Sequence, residues 1–194
     1  VDRLNSIKNQ VNEIVFRKQL KTNPQIIAVT KTFTAKDFMP LIRVGHTHFG
    51  ENKIQEAENK WFDIKKKYHD IQLHMLGRLQ SNKVKKAIQL FDYIHSLDNR
   101  KLANKINHYE NEMSRKIKIF IQVNIAEEKQ KNGIFLNDLK SFYNYCTNNL
   151  SLNIVGLMCF PPFNSDSNKF FKILKKNSDF LGLKELSMGM SADY

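Results

Sequence analysis

Ile26-Ile27-Ala28-Val29-Thr30-Lys31 is the stretch from which the fold is read. Four apolar residues and a β-branched threonine follow Asn23-Pro24 and give way to the polar segment Thr34-Ala35-Lys36-Asp37. That pattern predicts a short buried strand over 26–30 running into a helix capped by Thr34. Upstream, Leu4, Ile7, Val11, Ile14, Val15 and Leu20 recur at the three-to-four spacing of an amphipathic helix that ends before Asn23-Pro24. Downstream, the helix after Thr34 is expected to reach about Val44, with Pro40 inside it as a point of shortening or kinking.

The same alternation continues to the end of the chain. Strands are predicted over 47–49, 72–76, 93–96, 117–123, 153–158 and 185–188. Between them lie helical patterns carrying Ile54, Ala57, Trp61, Ile64 and Tyr68, then Val84, Ala87, Ile88 and Phe91 after a Ser81 cap. Further helices are expected from Asp98 to about Met113, over 136–150 and over 165–181. Seven strands alternating with helices through short loops, with no linker or composition shift, predict one parallel α/β domain over residues 1–194. Handedness leaves an open doubly wound sheet or a TIM (β/α)8-type barrel. No GxGxxG follows the first strand, and the barrel is the expected architecture, with Ile27, Val29, Leu73, Ile94, Ile119, Ile121 and Val155 as its packed core.

Composition narrows the function classes. Hydrophobic content of 41% and charged content of 26% are those of a soluble globular protein. The apolar runs over 117–123 and 154–162 fall far short of the roughly 20 residues that span a bilayer. The first eight residues contain no apolar signal core, so a cytoplasmic protein is expected. A net charge of +12 favours contact with phosphate in general. However, 25 of the 31 basic residues are lysine, they are dispersed along helices, and no basic stripe interleaves with aromatics. Specific nucleic-acid binding is therefore not expected. Cys146 and Cys159 lack CxxC spacing, and His46 and His48 have no third ligand at zinc spacing, so no metal site is expected.

In a barrel the working face is the C-terminal end of the strands. The sequence places there Lys31, Glu51, Asn52, Gly77, Gln80, Asn82, Asp98, Asn124, Met158, Ser187, Gly189 and Ser191. A lysine closing a buried strand incurs a desolvation cost that favours the neutral amine, the form that attacks an aldehyde. The alternative is a lysine that merely extends into water. Ser187-Met188-Gly189-Met190-Ser191 offers hydroxyls and free N–H groups of the kind that cradle a phosphate, although such clusters are also ordinary turns. His74, inside a predicted strand, reads as a barrel-lining histidine.

Six blocks in order carry a resemblance. They are Ala28-Val29-Thr30-Lys31; Phe49-Gly50-Glu51-Asn52 with Gln55-Glu56; His74-Met75-Leu76-Gly77-Arg78-Leu79-Gln80-Ser81-Asn82-Lys83; Ile121-Gln122-Val123-Asn124; Gly156-Leu157-Met158; and Leu186-Ser187-Met188-Gly189-Met190-Ser191. Together they resemble the pyridoxal-phosphate homeostasis proteins, the YggS or PROSC family, over nearly the whole chain. The resemblance implies a single-domain barrel like the N-terminal domain of alanine racemase. It places Lys31 on the lysine that forms an internal aldimine with pyridoxal 5'-phosphate (PLP), Ser187, Gly189 and Ser191 near the cofactor phosphate, and Asn52, His74 and Met158 along the pocket.

It further implies a non-enzymatic protein that holds and releases PLP, with no catalytic residues; a monomer with PLP-dependent apoenzymes as partners is expected. The alternatives are a small PLP-dependent racemase or decarboxylase, and a cofactor-free Schiff-base aldolase using Lys31. The family pattern continues past Ser191 through a helix to a Gly-(Ser/Thr)-x-x-Val-Arg-Ile-Gly strand. This sequence ends at Tyr194, so seven strands are expected, with the eighth missing, as in a shortened form of a longer protein.

Overall fold

Seven strands, β1 (Ala28–Val29), β2 (His48–Glu51), β3 (Gln72–Met75), β4 (Tyr93–Leu97), β5 (Lys118–Gln122), β6 (Ile154–Met158) and β7 (Glu185–Ser187), pair in chain order in a computed structural model that describes residues 1–21, 23–128, 130–162 and 165–190. The helices are α1 (Asp2–Arg17), α2 (Ala35–Arg43), α3 (Ile54–Lys67), α4 (Val84–Leu90), α5 (Arg100–Glu112), α6 (Leu136–Asn144) and α7 (Ser167–Phe180). Every neighbouring pair of strands is parallel. A doubly wound sheet reverses its order at a switch point, and this one does not.

The sheet is also rolled. His95 on β4 meets Ser187 on β7 at 2.7 Å. In a flat sheet three strand spacings would hold those strands roughly 14 Å apart. The architecture is thus a (β/α)-type barrel, left open because β1 and β7 each pair on one side only among the described residues.

The outer face of the sheet carries the main core. Phe49, Leu73, Met75, Ile94, Ile119, Ile121 and Leu157 pack beneath Trp61 of α3, Ala87 and Ile88 of α4, Leu102 and Ile106 of α5, and Phe142 of α6. A second, small cluster of Tyr93, Phe120 and Met158, with Val155 against it, fills the inner face. Leu73, Ile94, Ile119 and Ile121 are core residues as expected, on the side of the sheet that faces the helices, whereas Val29, also expected in the core, is 41% exposed. Strands covered on both faces read as near-continuous apolar runs, so the sequence does not reveal which alternate residues point inward.

Element ends differ from expectation for local reasons. The edge strand β1 is only two residues long, although the Thr30 N–H extends its ladder to the Gly50 carbonyl (2.9 Å). The cap of α5 is Asn99, which accepts from the Leu102 N–H (2.8 Å), and not Asp98. Asp166 likewise caps α7 through the Asn168 N–H (3.1 Å). The helix expected over 136–150 changes to a π turn at Tyr145–Asn149. Pro40 sits within α2 without ending it.

At the N-terminal ends of the strands, Asp92 accepts from the Leu73 N–H (2.8 Å), from Arg115 (3.0 Å) and from Lys65. This carboxylate ties β3, α3 and the α5–β5 connection to the start of β4.

β7 docks on β6 at a glycine. A Cβ on Gly156 would lie 2.1 Å from the Glu185 carbonyl oxygen and 2.8 Å from the Phe120 ring. Overpacking at such a site costs about 1–3 kcal/mol. Gly156→Ala is expected to lose that much stability in urea unfolding and to loosen the strand that carries Ser187; an unchanged unfolding midpoint would show that β7 adapts freely.

Candidate functional site

The turn after β1 that carries Lys31 is held from behind by α3. Lys60 and Glu56 stand one helical turn apart, paired at 2.9 Å, on the face of α3 that meets this turn. Lys60 Nζ donates to the Thr30 carbonyl (2.7 Å) and the Phe33 carbonyl (3.2 Å). Glu56 Oε1 accepts from the Thr32 N–H at 2.7 Å, where Thr32 takes a left-handed φ of 68°. Its carboxyl is held below the ordinary carboxylate range by the Lys60 and Thr32 hydrogen bonds.

Beneath the turn lies Glu51, fully buried. Its Oε1 meets Lys60 Nζ (2.6 Å), the Thr30 hydroxyl (2.7 Å) and the Trp61 indole N–H (3.0 Å). The backbone on both sides of Lys31 is therefore pinned, while Lys31 itself is exposed and has no hydrogen-bond or ion-pair partner among the described residues. The turn then enters α2 through Thr34, whose N–H and hydroxyl both donate to Asp37 Oδ2 (2.7 Å each).

This geometry revises two expectations. Lys31 does not close a buried strand, and any desolvation of its amine has to come from a ligand that covers it. Glu51 does not face the barrel mouth: it points outward to α3 and acts on the lysine turn from behind.

The inner face of the barrel is crossed by a line of histidines. His48 Nδ1 meets His74 Nε2 at 3.0 Å, His74 Nδ1 meets His95 Nε2 at 2.9 Å, and His95 Nδ1 meets the Ser187 hydroxyl at 2.7 Å. Aromatic faces sheathe the line, with His74 stacked on Tyr93 (4.2 Å) and His95 on Phe120 (4.3 Å). Burial pushes His74 down to about 2, with the neighbouring imidazoles and lysines adding to the effect, and pushes His95 down to about 3. Burial also lowers His48, and Lys118 adds to the shift. The expectation of a barrel-lining His74 corresponds to a buried ring with both nitrogens already engaged.

The line ends at the strand end where the hydroxyl-rich segment begins. Ser187 closes β7 and is half-buried. Gly189 has a φ of 90°, a conformation suited to glycine, and nothing lies within 4 Å of the position a Cβ would take. Ser191 lies outside the described residues. Met158 is buried in the inner cluster, and Asn52 is half-buried. Gly77 passes so close to Asn52 that an added Cβ would stand 2.2 Å from its carbonyl oxygen.

Asn124 does not belong to this site. It is buried and closes its own loop, donating to the Glu128 carbonyl (2.8 Å) and accepting from the Glu128 N–H (3.1 Å). Sequence reasoning missed Lys60, Glu56, His48 and His95. The signal for the histidines was their shared strand phase; for the two α3 residues only the i, i+4 charge pair was visible.

The arrangement offers an exposed primary amine on a fixed turn, and the Ser187 hydroxyl at the far edge of the sheet. An amine can condense with an aldehyde, and the hydroxyl segment can receive an anion. An aldehyde and an anionic group are the two chemistries that these residue types can receive.

The buried imidazoles make a pH prediction. In the unfolded chain histidines take up protons as pH falls through about 6.5, whereas His74 and His95 stay neutral in the folded chain down to about 2 and 3. The unfolded state then binds more protons, so this contribution is fully present above pH 6.5 and is lost on acidification. Between pH 7 and 5 the loss is on the order of 2 kcal/mol per ring. Urea titrations across that range should show the decline, and His95→Gln should make it shallower; a flat wild-type profile would contradict neutral buried rings.

A family model described as alanine racemase, N-terminal domain, matches residues 3–194. The pyridoxal phosphate homeostasis protein of Synechocystis is 34% identical over 184 residues, covering 90% of this chain and 84% of that protein. PipY of Synechococcus elongatus, solved without PLP, superimposes with a TM-score of 0.81 at 31% identity, over 94% of this chain and 90% of that one. PipY with PLP bound gives 0.76 at 30% identity over the same shares. The chain belongs to the alanine racemase N-terminal domain family and, within it, to the pyridoxal phosphate homeostasis proteins.

Proposed function

We propose that this chain binds pyridoxal 5'-phosphate as a Schiff base on Lys31 and serves in intracellular PLP homeostasis without catalytic turnover. The observation that carries the reading is the state of Lys31: an exposed amine, without a partner among the described residues, on a turn fixed at both sides by Lys60 and Glu56. Its support from relatives is the PLP-bound PipY structure, similar over 94% of this chain. Ser187, Gly189 and Ser191 receive the phosphate, and Asn52, His74 and Met158 line the pocket behind it. When bound, the cofactor supplies an electrophilic aldehyde and an electron-withdrawing ring; the protein supplies the amine and its placement.

The side chains that line the inner face are poor proton acceptors for turnover. A useful proton acceptor has a pKa near the working pH. The two buried imidazoles are pushed down to about 2 and 3 and are bonded to each other, and the Tyr93 hydroxyl is engaged by Lys118 Nζ at 2.8 Å. The two imidazoles are therefore not suited to hold a substrate proton at neutral pH. We further take residues 1–194 as one domain that acts as a monomer in the cytoplasm and passes PLP to apoenzymes that require it.

Mixing the protein with PLP is expected to produce a visible absorption band, and borohydride should trap a pyridoxyl adduct on Lys31 by mass spectrometry. The band and adduct should be lost in Lys31→Ala; their persistence would refute the assignment. Exchange of the α-hydrogen of alanine in deuterated water, at a rate well above that of free PLP, would instead indicate a racemase. Glu56→Ala removes the grip on Thr32 while leaving Lys31 in place. It is expected to weaken PLP binding about three- to tenfold, the worth of a single hydrogen bond, with the fold intact by circular dichroism.

A further inference from the structure

His48, His74 and His95 come from three successive strands, yet their rings form one continuous run to Ser187 on the far edge strand. His48 opens β2 and lines a cavity at the N-terminal end of the barrel with Lys8, Asn12, Gln25 and His46. Ser187 closes β7 at the opposite end. The run therefore climbs the inside of the barrel from a water-accessible cavity to the place where the hydroxyl segment begins. Tyr93 and Phe120 stack on its two buried rings and keep competing water away.

Each contact needs one protonated and one bare nitrogen. Neutral rings meet that requirement in only two ways. In one polarity every ring carries its proton on Nε2 and Ser187 donates to His95 Nδ1. In the other every ring carries it on Nδ1, His95 donates to Ser187, and the hydroxyl proton is free to point elsewhere. Mixed arrangements place two donors or two acceptors face to face in a dry interior, which is costly.

We propose that the His48–His74–His95–Ser187 run is a polarity relay, and that a phosphate group accepting the Ser187 hydroxyl sets all three imidazoles to the Nδ1–H form. This rests on Ser187 receiving the cofactor phosphate. The switch from the opposite polarity balances: each ring gives up its Nε2 proton and takes one on Nδ1. One proton leaves from His48 Nε2 into the cavity, and one enters at Ser187 Oγ from solvent or from the phosphate monoanion. His95 is a positioning residue, acting on the phosphate only through Ser187. Occupancy at the top of the barrel is thereby reported at its base as a bare, hydrogen-bond-accepting His48 Nε2. The charged groups facing the run are Lys118 and, more distantly, Lys65 and Asp92.

The test uses the full chain labelled with 15N-histidine and compares PLP with pyridoxal, which has the aldehyde but no phosphate. With PLP, the 15N resonances of His74 and His95 should show a protonated Nδ1 and a bare Nε2; with pyridoxal they should match the free protein. The same tautomers with both ligands, or a protonated Nε2 in the PLP complex, would overturn the relay while leaving PLP binding intact. His95→Phe keeps the stack on Phe120 but breaks the run. It should weaken PLP about three- to tenfold and leave pyridoxal affinity unchanged; an equal loss for both ligands, or none, would count against the relay. If Ser187→Ala binds PLP as tightly as the wild type, the assignment of Ser187 to the phosphate fails, and the relay fails with it.

Discussion

A carboxylate removed from water governs the lysine end of this molecule. Glu51 lies on the outer face of β2, and its Oε1 gathers the Lys60 ammonium, the Trp61 indole N–H and the Thr30 hydroxyl. Burying an ion pair costs several kcal/mol per ion unless geometry and further hydrogen bonds compensate. Here the compensation comes from three elements at once, so β1, β2 and α3 have to be in register for the charge to be tolerated. The same requirement fixes the turn between β1 and α2, because the ammonium that neutralises Glu51 also holds the carbonyls of Thr30 and Phe33. The position of the Lys31 backbone thus follows from a constraint on the helical side of the sheet, and among the described residues none holds its amine.

The inside of the barrel works by a different rule. Its outer layer is a conventional apolar core between sheet and helices. The inner face carries a small aromatic cluster and, beside it, a line of paired imidazoles that ends on the Ser187 hydroxyl. Both nitrogens of His74 and of His95 are used, which is how two imidazoles persist at almost no exposure. The bond from His95 to Ser187 also spans β4 to β7 directly. The polar line and the curvature of the sheet therefore depend on each other: rolling brings the groups within reach, and pairing makes a polar interior tolerable.

Much of the fold was legible in the chain because parallel α/β units are strongly patterned. The alternation of short apolar runs with 3.6-residue periodicity located all seven strands, and Thr34 announced the start of α2. Element ends were less legible. Asn99 took the cap expected of Asp98 because the choice depends on which side chain meets the Leu102 N–H. The phase of the strands was not legible at all, since Ile119 and Val155 look alike in sequence yet face opposite sides of the sheet. The site was read through Lys31, Ser187 and Gly189, whose residue types carry their chemistry with them. Lys60 and Glu56 were not read, because a charged pair one turn apart on a helix is ordinarily only a solvated surface pair.

What the sequence by itself determined is the set of elements, their parallel winding and the family, since these depend on local periodicity and short motifs that survive without knowledge of contacts. What only the tertiary structure decided is which side chains act together. Glu51 was expected at the barrel mouth and serves from behind the lysine. His48 and His95, unremarkable in isolation, join His74 and Ser187 across residues 48 to 187. The physical reason is that hydrogen-bond partnership depends on distances of about 3 Å, and separations that small between distant strands are created only when the sheet rolls.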